Sequence, residues 1–68
     1  MTVSAQVKQT LAELKNVHAM LDMFALHQGD KSSKAIYSSE SQKIAQVIGQ
    51  LEHRIGQLEF EESQYKGL

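Results

Sequence analysis

The stretch IAQVIGQLEHRIGQL, residues 44–58, decides the fold. Its apolar residues are Ile44, Val47, Ile48, Leu51, Ile55 and Leu58, separated by steps of three, one, three, four and three. That is the period of one face of an α-helix. No proline interrupts it, and Gln50, Glu52, Arg54 and Gln57 fill the remaining positions. The spacing predicts the middle of a long amphipathic helix whose buried stripe needs a partner. The stripe extends to Tyr37 on one side and Tyr65 on the other, so the helix is expected over about residues 32–64, beginning as early as Lys31.

The partner stripe lies upstream. Val3, Val7, Leu11, Leu14, Val17, Leu21 and Phe24 recur at steps of three and four, flanked by Thr10 and His18. No glycine or proline occurs between Val3 and Gln28, so one helix is expected over about 3–28. Thr2 suits its N-cap, because the hydroxyl can accept from an amide one turn later. Gly29 is expected to close it in the left-handed conformation. Asp30, Ser32 or Ser33 can cap the second helix. A connection at about residues 29–31 forces antiparallel neighbours. The expected fold class is all-α: an antiparallel two-helix hairpin in one domain, self-associating into a four-helix bundle.

Self-association is expected because 68 residues make a marginal domain, burying only about 60% of the surface of the unfolded chain. Disulfides, metals or a second subunit usually compensate. There is no cysteine, which removes the first and any thiolate metal site. The oligomer core is assigned to Val7, Leu11, Leu14, Val17, Leu21, Phe24, Ile44, Ile48, Leu51, Ile55 and Leu58.

Two outer lines add to this expectation. Ala5, Ala12, Ala19 and Leu26 recur every seven residues, with Met23 beside them, and Ala45, Gly49, Gly56 and Phe60 form a similar line on the second helix. A glycine inside a helix costs up to about 1 kcal/mol against alanine. Close approach of another helix would explain the pattern. The commoner explanation is that alanine favours helix and the glycines are tolerated. Phe60, an outward aromatic, marks a contact more strongly.

Charge and composition exclude several classes. A net charge of −1 with both signs interspersed is no footprint for nucleic acid or an anionic membrane. The longest apolar run, Met23 to Leu26, is far below the roughly 20 residues of a membrane span. No secretory signal opens the chain, and the expected location is cytoplasmic. Asp30–Lys34, Glu40–Lys43 and Glu62–Lys66 are opposite charges three or four apart, a modest helix support. Glu59, Glu61 and Glu62 crowd a helix C-terminus, where the dipole disfavours acids; fraying, or basic groups elsewhere, should answer them.

No catalytic residue, cofactor or metal site is expected, and the chain is not expected to be an enzyme. His18 and Asp22, four apart, share a helical face and could begin a metal site. Glu13, five residues before His18, falls on another face, and no Glu-x-x-His pair of the di-iron kind occurs. His18 is more commonly a boundary residue or a weak ion-pair partner. His27 suits the helix C-terminus, and His53 lies on the polar side. Ser32, Ser33, Ser38, Ser39 and Ser41 have no histidine spaced to activate them. Met20, Met23 and Phe24 could form an adaptable surface, though core filling is more common.

The two ends carry a resemblance. Thr2-Val3 followed by Val7-Lys8-Gln9-Thr10-Leu11-Ala12-Glu13-Leu14-Lys15 resembles the opening of a family of short helical proteins, and Leu58-Glu59-Phe60-Glu61-Glu62-Ser63-Gln64-Tyr65-Lys66-Gly67-Leu68 resembles its closing signature. The family is the domain of unknown function numbered sixteen fifty-seven, from spore-forming Gram-positive bacteria. Its members often have proline where this chain has Ser63; proline would end the helix there, whereas Ser63 lets it run on to Tyr65. The resemblance implies no enzymatic activity. It implies a sporulation setting, in the forespore or spore, with an integral membrane protein as a partner; joined to the reading of the residues, this makes the chain a cytoplasmic structural or adaptor module that pairs with a second copy of itself, without nucleic acid and without inserting into the membrane. Phe60, Tyr65, Lys66 and Gly67 are the candidate partner contacts. The alternatives are a ferritin-like metal-binding bundle using His18, Asp22 and Glu13 across a subunit interface, and a small regulator sequestering a partner helix through the outer lines.

Overall fold

Thr2 opens the first helix. Its backbone is extended, with φ −71° and ψ 162°, and its Oγ1 accepts from the Ala5 N–H at 3.1 Å. That hydrogen bond satisfies one of the amides a helix start leaves without a partner. The structure, a computed structural model, describes residues 2–66, with side chains as far as Tyr65. It contains two helices, α1 over Val3–Leu26 and α2 over Lys31–Lys66.

Gly29 does not close α1 as expected, since no described glycine has a positive φ. The helix stops at Leu26, with His27 as its cap at φ −95° and ψ 1°. The His27 and Gln28 N–H groups donate to the Phe24 and Ala25 carbonyls at 3.1 and 3.3 Å, tightening the last turn. Two side chains do the rest. His27 Nδ1 lies 2.8 Å from the Met23 carbonyl oxygen, and Gln28 Nε2 donates to the Phe24 oxygen at 3.1 Å. Carbonyls satisfied in this way need no left-handed residue.

Asp30 caps α2. Its Oδ2 accepts from the Ser33 N–H at 3.1 Å, and its carbonyl accepts from the Lys34 N–H at 3.2 Å. Hydrogen bonds from Ser33, backbone and side chain, hold the Asp30 carboxyl below its ordinary 3.8. The carboxylate is thus engaged locally, and the expected Asp30–Lys34 ion pair does not form among the described residues, whereas Lys43 and Glu40 meet at 3.1 Å. With serine at 63, α2 runs on through Tyr65 to Lys66.

The helices pack antiparallel. The inward line of α1 is Ser4, Val7, Leu11, Leu14, His18, Leu21 and Ala25, in strict alternation of three and four. That of α2 is Ser41, Ile44, Ile48, Leu51, Ile55, Leu58 and Glu62, in the same alternation. This is the seam of a two-stranded coil. Leu11, Ile48 and Ile55 are its most buried members, with Val7, Leu14, Ile44 and Leu51 packed around them. The stripe read from hydropathy is therefore partly corrected. Val3, Val17 and Phe24 on α1 and Val47 on α2 lie outside the seam and are exposed, and Tyr65 is 80% exposed. Ser4, His18 and Ala25 take the inward places.

Both ends of the seam are polar. Ser4 Oγ donates to Glu62 Oε2 at 3.2 Å across 58 positions of sequence, and Ser41 Oγ donates to Asp22 Oδ1. Both serines are buried, and no buried side-chain polar atom among the described residues lacks a partner. A one-turn slip would leave these groups unsatisfied, so they fix the register as well as closing the ends.

The result is a rod of 58 × 17 × 11 Å with a radius of gyration of 16.2 Å. A compact chain of this length has about 11 Å.

Candidate interaction surfaces

The seam divides the hairpin into two broad faces. On α1, Lys8, Lys15 and Asp22 flank it on one side, and Val3, Thr10, Val17 and Phe24 on the other. On α2, Ala45, Glu52 and Glu59 flank one side, and Glu40, Val47, Arg54 and Glu61 the other. Cross-helix ion pairs settle which flanks share a face. Lys8 meets Glu59, and Lys15 Nζ lies 3.7 Å from Glu52 Oε2. The valine-bearing flanks of the two helices therefore lie together on the opposite face.

On the first face, the groove between the helices is bridged by paired charges, and its outer slopes carry Ala5, Ala12, Ala19, Gly49 and Gly56. The two small-residue lines seen in the sequence thus fall on one surface. Nothing lies within 4 Å of a Cβ built at Gly49 or Gly56, so hairpin packing does not require glycine at either. Two of the three acids of α2's last turns find their answer here: Glu59 pairs with Lys8, and Glu62 accepts from Ser4 in the first turn of α1. Antiparallel packing sets those acids beside the positive end of the α1 dipole.

On the second face the groove is lined differently. Val17 is 42% exposed, Phe24 44% and Val47 41%. The Phe24 ring meets Tyr37 edge-on, with centroids 6.0 Å apart. Met20 and Ile36 extend the apolar surface towards the turn. Arg54 is in no ion pair among the described residues; its Nη1 donates to Gln57 Oε1 at 3.3 Å. Sequence reasoning placed Val17, Phe24 and Val47 in the stripe. The signal that sets them apart is their position one residue before a seam residue, repeated every seven.

His18 Nε2 is 3.8 Å from Asp22 Oδ2, but Asp22 is held by Ser41, and Glu13 lies exposed on a different side of α1. Among the described residues no three His, Asp or Glu side chains converge on a metal-sized site. His53 contacts Gln57 on the outer surface at 3.3 Å. Phe60, 65% exposed, borders a shallow depression with Glu52, His53, Gly56 and Gln57. Of the remaining contact candidates, Tyr65 is exposed, and the Lys66 side chain and Gly67 lie outside the described residues. Among the described residues, no helix is long and apolar enough to cross a membrane.

No curated protein matches this chain, and no solved structure does. A family profile does match, over residues 7–55, which takes in the Val7–Lys15 opening, the connection and the seams from Val7 to Ala25 and from Ser41 to Ile55, while the closing stretch from Leu58 lies outside the match. Its description is "Protein of unknown function (DUF1657)", and the chain belongs to that family.

Proposed function

We propose that this chain is a structural or adaptor module, not an enzyme, that acts by associating with a second copy of itself to complete a helical bundle. The observation that carries this reading is surplus surface. A folded monomer of 7.6 kDa exposes about 4,300 Å², whereas the hairpin exposes 5237 Å². The excess of about 900 Å² belongs to the rod shape, in which a two-helix layer leaves both sides of the seam open. The core agrees: among the described residues no side chain is fully buried, and the best-buried large ones are still 7–9% exposed. A two-helix layer covers each inward stripe from one side only, and a four-helix bundle is the simplest closure.

The family resemblance supplies a setting for the proposal: a cytoplasmic protein of the forespore or spore that, as a self-paired bundle, also contacts an integral membrane protein. Light scattering over a concentration series, with circular dichroism on the same samples, tests the association. A helical dimer or larger assembly persisting to low micromolar concentration is the expected result. A monomer throughout the series would overturn the proposal.

A further inference from the structure

The surplus surface is not spread evenly. The ion-paired face cannot be covered without burying Lys8–Glu59 and Lys15–Glu52, whose side chains are about half exposed; desolvating such pairs costs more than their attraction returns unless the geometry is excellent. The other face has no such cost at its centre. Val17, Phe24 and Val47 line its groove, and Met20 and Ile36 extend them.

Two charges on that face are placed symmetrically, although one of them, Glu40, also holds Lys43 at 3.1 Å. Glu40, Val47 and Arg54 occupy equivalent positions in consecutive heptads of α2. Glu40 and Arg54 thus stand about 10.5 Å to either side of Val47 along the helix, one acidic and one basic. A two-fold axis through an interface sets residue i against j and j against i. With the axis at Val47 and α2 antiparallel to its copy, Glu40 meets the partner's Arg54, and Arg54 meets the partner's Glu40. On α1, Lys15–Glu52 and Asp22–Ser41 bracket Val17 at nearly the height of Val47. The same axis therefore packs Val17 and Met20 against their own copies. The face is self-complementary in both apolar surface and charge.

Building on the self-association proposed above, we infer that the second copy docks on the Val17, Phe24 and Val47 face, with α2 antiparallel to α2 across a two-fold axis at Val47 and reciprocal Glu40–Arg54 pairs. The occupant is a second copy rather than an unrelated helix because Glu40 and Arg54, set at equal distances from Val47, answer each other's copies across the axis and the apolar residues between them meet their own copies.

Charge reversal gives the decisive experiment. Dimer dissociation constants are measured by sedimentation for the wild type, Arg54→Glu, Glu40→Arg, the double reversal, Val47→Glu and Phe60→Asp. Either single reversal should weaken the dimer about tenfold, since two exposed pairs per dimer turn repulsive. The double reversal should return it to within about threefold of wild type, because the pairs re-form. Val47→Glu should abolish the dimer while helicity at high concentration reports the fold, and Phe60→Asp should change nothing. A wild-type dimer that Val47→Glu leaves intact, or single reversals without rescue in the double, would overturn the assigned face and leave self-association standing. A wild type that never dimerises would overturn both.

Discussion

The two faces of the hairpin flank the same seam, yet one is finished within the chain and the other is not. Across the ion-paired face, Lys8 and Lys15 reach Glu59 and Glu52, so polar groups on one helix answer those on the other. Across the apolar face, Val17 stands nearly level with Val47 and Phe24 lies against Tyr37, and Val17, Phe24 and Val47 are each more than two-fifths exposed. The charged flank tolerates water and gains little from being covered. The apolar flank gains about 25 cal/mol for every Å² removed from water. Such an asymmetry fits the proposed dimer, in which the charged flanks orient the two helices of one hairpin and the apolar flanks face the next layer.

The seam itself sets the upper limit of any effect. Leu11→Ala or Ile55→Ala should cost about 2–5 kcal/mol, enough to unfold a marginal domain, read as the midpoint of urea unfolding followed by circular dichroism. The apolar flank comes next. Val17→Ala removes two methyl groups, a loss of about 1.5 kcal/mol if they are covered. That loss should shrink as the sample is diluted, whereas Lys15→Ala on the other flank should show no concentration dependence. Equal dependence for the two would break the contrast between the faces.

The small-residue line should respond in the opposite direction. With nothing near either glycine, Gly49→Ala and Gly56→Ala should each stabilise by up to about 1 kcal/mol, with the dissociation constant unchanged. A weakened dimer would move the interface to the ion-paired face. Glu52→Gln should cost less than about 1 kcal/mol, a difference from wild type that thermal melts in about 1 M salt should erase.

The smallest effect is at the turn, away from both faces. Asp30 has its pKa lowered below 3.8 in the fold. Its contribution is therefore present above the unfolded value and lost as pH falls through 3.8 towards the folded value. Helicity of the wild type should decline more steeply below pH 4 than that of Asp30→Asn, which caps without titrating.

Much of the molecule was legible in the sequence because helix signals are local. The three-to-four periodicity, the absence of proline, the Thr2 cap and the polar break at Gly29-Asp30 each act within a few residues, and together they define two amphipathic helices and the short connection that makes them antiparallel. With serine rather than proline at 63, nothing local stops α2 from running on to Lys66. The closing of α1 was less legible. Glycine at 29 suggested a left-handed cap, but His27 and Gln28 reach back to the carbonyls first.

The choice of inward line was decided only by the tertiary structure. Val3, Val17 and Phe24 are more apolar than Ser4, His18 and Ala25, and each sits just one residue away, so hydropathy favours them. Val7, Leu11, Leu14 and Leu21 belong to both lines, and only the second keeps the strict alternation that a straight seam against another helix demands. Its polar members become acceptable through partners that no local window contains: Glu62 for Ser4, 58 residues away, and Asp22 for Ser41, 19 residues away. Local periodicity determined that there would be two helices with a stripe each. Which side chains met, and which were left outward, depended on packing and hydrogen bonding between segments far apart in the chain.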